Sequence, residues 1–165
     1  MYLQSYRSPT IQFDTIYGIS EVLRSVYNNS ISSTPVDVTV SCSVGGSMKV
    51  TGTYSTSSSV TTVDLAYTMS ACEFEQVNTY SDSSKATTKL KITGTINQTG
   101  TISSTQSYTK KLAGSSLSIS GTVNNSKYSV NSPYSYNGTC DYSYTLTASS
   151  SSSSTSTGSI CGMSY

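Results

Sequence analysis

Four cysteines, Cys42, Cys72, Cys140 and Cys161, are the residues with the clearest chemistry in this chain. None sits in a Cys-x-x-Cys pair, which argues against a zinc ligand set or a thioredoxin-like centre. An even count in a Ser/Thr-rich chain fits disulfides formed in an oxidising compartment; four free structural thiols in a cytosolic protein is the competing reading. Cys42 and Cys72 are placed symmetrically about residue 57, and Cys140 and Cys161 about the serine run 149–154. A hairpin brings symmetric positions face to face at the separation a disulfide needs. The spacing therefore predicts Cys42–Cys72 and Cys140–Cys161 over the other two connectivities, each adding roughly 3–4 kcal/mol in the chain-entropy picture.

The remaining reactive groups form no recognisable machinery. The chain has no histidine, which excludes a Ser/His/Asp triad and removes the commonest general base and metal ligand. Among Asp64, Glu73, Glu75 and Asp141, Glu73 and Glu75 alone are spaced like a catalytic pair. Two apart on a strand, they would stand about 7 Å from each other on one face, within the range glycosidases use. Adjacent exposed carboxylates on a strand are the ordinary reading. No phosphate-cradling glycine loop occurs, and a Lys–Asn isopeptide bond requires a buried carboxylate that sequence alone does not locate. No catalytic, cofactor-binding or metal-ligating set is expected, and the chain is read as a non-enzyme.

Tyr134, Tyr136, Tyr142 and Tyr144 cluster around Asn137-Gly138. They are a possible binding surface for sugar rings or protein, since tyrosine joins contact area to a polar tip; cross-strand tyrosine pairing within a hairpin is the plainer alternative. Lys85, Lys89, Lys91, Lys110 and Lys111 are the nearest approach to a basic patch, and net charge is only +1. They read as solubilising charges, so no nucleic acid is expected as a partner. Sequons stand at Asn28, Asn97, Asn124 and Asn137, and they matter only in a source that glycosylates.

What positions these residues is a phrase stated three times. Residues 47–54 read Ser-Met-Lys-Val-Thr-Gly-Thr-Tyr, 89–96 read Lys-Leu-Lys-Ile-Thr-Gly-Thr-Ile, and 116–123 read Ser-Leu-Ser-Ile-Ser-Gly-Thr-Val. In each copy apolar residues alternate with Lys, Ser or Thr, the period-two pattern of antiparallel sheet with one buried face. Gly52, Gly94 and Gly121 fall on the apolar face. A glycine there marks a bend that coils the sheet, or a groove over which a helix or ligand passes.

The 165 residues contain 64 Ser and Thr and 14 Tyr, with 10% charged. Abundant Tyr, Val, Ile and Thr favour ordered strands over disorder. One domain over 1–165 is expected. It has an N-terminal arm at 1–13 and one amphipathic helix at 14–28 carrying the stripe Ile16, Ile19, Leu23 and Val26. A β-meander follows over 37–161. Its strands are expected at 37–44, 47–55, 60–70, 73–80, 86–97, 100–110, 115–123, 127–135, 138–148 and 156–161, with turns at Gly45-Gly46, Ser57-Ser58, 81–83, 98–100, Gly114, Asn124-Asn125 and Asn137-Gly138. The class is mainly β, an antiparallel meander of about 8–10 strands in a curved sheet, sandwich or barrel, with the helix on the concave face. No apolar run is long enough to cross a membrane as a helix, and the first residues lack the apolar core of a signal peptide.

The repeated Φ-x-Φ-Ser/Thr-Gly-Thr strands at Gly52, Gly94 and Gly121 resemble bacterial secreted and surface Ser/Thr/Gly-rich β-proteins and pilus-like filament subunits. The resemblance covers 38–161, rests on style, and implies no site residue. The chain is thus expected to be a secreted or cell-surface structural protein, extracellular or periplasmic, that self-associates into a homo-oligomer or filament. A carrier of an apolar ligand enclosed by a curved sheet and helix, or a carbohydrate-binding adhesin module, are the alternatives.

Overall fold

Alternation along the strands is strict enough to build the sheet residue by residue. The computed structural model describes residues 35–125, 134–149 and 153–164. Seven substantial strands run β1 (Val36–Ser41), β2 (Gly45–Ser57), β3 (Val60–Thr79), β4 (Lys85–Ser103), β5 (Tyr108–Asn125), β6 (Tyr134–Ala148) and β7 (Ser154–Ile160); a two-residue β8 (Met163–Ser164) follows. They lie in chain order in one sheet, every neighbouring pair antiparallel. Among the described residues β1 does not pair with β7 or β8, so the sheet is open, neither a closed barrel nor two sheets. The expected arm at 1–13 and helix at 14–28 lie outside the described residues.

One face of the sheet holds the core. Met48 and Val50 on β2, Leu65, Tyr67 and Met69 on β3, Leu90, Ile92 and Ile96 on β4, Leu117 and Ile119 on β5, Tyr142 on β6 and Ile160 on β7 join one buried cluster. The opposite face is a lattice of hydroxyls and paired charges. Thr68 Oγ1 lies 3.1 Å from Thr95 Oγ1 and Ser143 Oγ 3.0 Å from Ser159 Oγ. Such cross-strand pairs are worth about 0.2–1 kcal/mol each.

Ten strands were expected where seven long ones and a stub occur, because four features read as breaks or turns are internal to strands. The break expected after residue 70 is a β-bulge. The β3–β4 register shifts between Met69 and Cys72, and Ala71 has φ 49°. Its N–H, lost to the ladder, donates to Thr93 Oγ1 at 3.1 Å. The bulge switches which parity faces inward, from Leu65, Tyr67 and Met69 before it to Cys72 after it. β5 repeats the device: the register shifts between Gly114 and Leu117, Ser116 has φ 51°, and its N–H donates to Asp141 Oδ1 at 2.8 Å. Bulges of this kind bend a strand and raise its twist. The stretch 98–100 is no turn either. Gly100 faces Thr109 so closely that a Cβ would stand 2.2 Å from its carbonyl oxygen. The expected hairpin at Asn137-Gly138 is continuous β6, with Asn137 opposite Ser120 and Gly138 opposite Ile119.

Two of the recurrent glycines show the bend. Gly52 has φ 131° and Gly94 φ 135°. A Cβ on Gly52 would come 2.1 Å from the Asp64 carbonyl oxygen, and one on Gly94 2.8 Å from Leu117 Cδ2. Neighbouring backbone and core side chains therefore occupy the space a side chain would need.

Candidate functional site

The two disulfides tie the sheet near its two margins. Cys42 is bonded to Cys72 with Cα atoms 5.5 Å apart, and Cys140 to Cys161 with Cα atoms 4.5 Å apart. All four cysteines are consumed, as the spacing predicted. Their geometry differs from simple opposition across a hairpin. Cys42 lies in the β1–β2 connection, where its N–H donates to the Gly46 carbonyl at 3.2 Å, and its bond reaches β3 just past the Ala71 bulge. Cys161 follows β7, where its N–H donates to the Asp141 carbonyl at 3.0 Å. Asp141 thus serves two strands: its side chain caps the Ser116 bulge and its backbone holds the turn after Ile160.

Glu73 and Glu75 stand on the outer face, each directly opposite a lysine of β4. Lys91 Nζ lies 2.6 Å from Glu73 and Lys89 Nζ 3.3 Å from Glu75. The Glu pair is therefore one half of a charge ladder, and both carboxylates are engaged by cations. A third pair, Lys49 with Asp37 at 3.2 Å, ties β1 to β2. Exposed ion pairs of this kind contribute about 0–1 kcal/mol.

The structure takes Tyr142 out of the expected tyrosine surface. All four tyrosines lie on one strand, β6, and not on two arms of a hairpin. Tyr142 is 2% exposed and belongs to the core, because its position alternates inward with Cys140. Tyr144 is half-buried on the same face. Tyr134 and Tyr136 pair in register with Val123 and Gly121.

The two margins of the sheet differ in charge. On one side β1 carries Asp37 within Val36–Ser41. On the other, β7 reads Ser-Thr-Ser-Thr-Gly-Ser-Ile, without a charge or a proline, and its first four residues are exposed. β7 pairs with β6 only from Tyr142 to Ala148. Residues 134–140 of β6 therefore have no strand partner on their far side among the described residues. The sequence did hint at this margin: the final strand region carries almost no charge.

No protein-family profile, curated protein or solved structure matches this chain. Among the described residues no helix is long and apolar enough to cross a membrane.

Proposed function

We propose that this protein is a non-enzymatic, extracellular structural subunit that assembles with copies of itself by strand addition. The observation that carries the reading is the uncharged strand β7 at the margin of an open sheet, whose outer side β8 covers only at Ser159 and Ile160. An exposed strand edge is a row of unpaired backbone donors and acceptors, and monomeric proteins blunt it with charge, proline or a cover. Pairing β7 of one copy with β1 of the next would continue the meander in order. Because the two edges differ, the contact is head to tail and generates an open filament, not a closed dimer. Two disulfides suit the oxidising environment such a filament would meet.

The test is electron microscopy and sedimentation of the oxidised full chain beside Thr155→Lys and Thr157→Lys, which add charge to the exposed edge without touching the core. Ordered filaments from the unaltered chain, absent or shortened in the lysine variants, support the reading. A monomer at every concentration, or filaments indifferent to both lysines, overturns it.

A further inference from the structure

On the outer face the acids of β3 and the bases of β4 stand in two adjacent columns. Glu73 lies opposite Lys91 and Glu75 opposite Lys89, and the two rows run on to Ser120 and Thr122 of β5. Even while paired, the four charged side chains are 36% to 64% exposed. A groove of about 280 Å³ passes over them, bounded by Val44 on the β2 side and by Ser120 and Thr122 on the β5 side. Val44 and Val77 are the exposed large apolar side chains among the described residues. Val44 donates its N–H to the Glu73 carbonyl at 3.3 Å. Val77 follows Glu75 by two residues on β3 and so shares its face. Both therefore border the charged columns.

A surface with acids in one column and bases in the next is complementary to itself. A two-fold axis lying between β3 and β4, parallel to them, sets Glu73 of one copy against Lys91 of the other and Glu75 against Lys89. An axis running across the strands would set acid against acid. The favourable axis also carries Val44 of each copy onto the Ser120 and Thr122 flank of the other, because both flanks lie one strand spacing outside the charged pair of strands. Each charge then has two opposite neighbours, one in its own chain and one in the second copy. Complementary charge of this kind fixes orientation and excludes wrong pairings, and two-fold contacts are the commonest between identical chains.

We propose that the charged face of β3 and β4 docks a second copy of this chain about that axis. The contact is independent of strand addition, which uses the sheet's edges and leaves this face free.

The experiment is analytical ultracentrifugation of the oxidised full chain carrying Thr155→Lys and Thr157→Lys, so that edge assembly and face docking are read separately. This edge-blocked protein is compared with the same protein bearing Glu73→Lys and Glu75→Lys, with that bearing Lys89→Glu and Lys91→Glu, and with an equimolar mixture of the two. The edge-blocked protein is expected to dimerise, its dissociation constant rising at least about tenfold between about 0.01 M and about 1 M salt as the Debye length shrinks from about 30 Å to about 3 Å. Each charge-reversed variant alone should be monomeric, because like charges then meet, and the mixture should dimerise again. The ion pairs lost are exposed and contribute little to folding. Should a reversed variant nevertheless fail to fold, Glu75→Gln and Lys89→Gln take its place, each expected to weaken the dimer several-fold. An edge-blocked protein that stays monomeric at low salt, reversed or glutamine variants that dimerise as strongly as it does, or a mixture of folded reversed variants that does not associate would overturn the proposal.

Discussion

Gly52→Ala should be among the most damaging single-methyl additions the sheet can suffer. Gly52 sits at φ 131°, a region essentially restricted to glycine, which costs an L-residue about 1–3 kcal/mol. The new Cβ would also stand 2.1 Å from the Asp64 carbonyl oxygen and 3.0 Å from Leu65 Cα, both backbone atoms. Relief requires β2 and β3 to part around the Gly52–Leu65 and Thr53–Asp64 pairs, and each ladder hydrogen bond weakened costs about 1 kcal/mol. The expected total is about 3–5 kcal/mol, a large share of the 5–15 kcal/mol typical of a domain. Gly162→Ala separates the two contributions: its φ is 79° and no atom lies within 4 Å of the added Cβ, so it should cost only about 1 kcal/mol of conformational strain. Urea unfolding of the oxidised proteins, followed by circular dichroism, reads both values. A Gly52→Ala cost no larger than that of Gly162→Ala would refute the close approach of β2 and β3.

Asp141→Ala should cost about 1.5–3 kcal/mol in the same assay, since it strips the Ser116 N–H of a charged acceptor 2.8 Å away; Ser116→Gly, at φ 51°, should be neutral or stabilising because glycine relieves the left-handed conformation. Replacing Cys42 and Cys72 together by Ser, or Cys140 and Cys161 together, should each lower stability by roughly 3–4 kcal/mol, given sequence separations of 30 and 21; a loss under 1 kcal/mol would mean the bonds constrain little. Stability should also depend on pH through the inner face. Lys110 is depressed below 10.5 in the folded state, so the unfolded chain binds more protons just below that value and stability rises with pH there, whereas Tyr144, raised above 10.0, makes stability fall at higher pH. Lys110→Met should abolish the rise and leave the fall, as unfolding midpoints measured across this alkaline range will show.

Much of the fold was legible because its signals are local. The triple phrase gave strands β2, β4 and β5 their buried face, and symmetric spacing gave both disulfides. Single-residue irregularities with long-range causes were not legible. The bulges at Ala71 and Ser116 reset which parity faces the core, so a continuous strand read as a strand, a break and another strand. The same reset hid Lys110: carrying the inward parity of Leu117 and Ile119 back along β5 would place Lys111 inside and Lys110 outside, the reverse of what the bulge produces. Glycines misled likewise. Gly100 and Gly138 lie where strands pass side by side, and sequence offers the same letter for a turn. Tyr142 left the expected surface with the hairpin, since a strand continuing through Asn137-Gly138 carries it into the core.

Hydrogen exchange across residues 154–158 tests the central proposal most directly. In the isolated subunit the outward amides of residues 154–158, beyond the reach of β8, have no strand partner among the described residues and should exchange quickly, while those of β4, flanked on both sides, stay protected. In assembled material the β7 amides should slow to match interior strands, together with those along the β1 edge. Assemblies in which β7 exchanges as fast as in the monomer would show that copies meet elsewhere, and the edge account would fall.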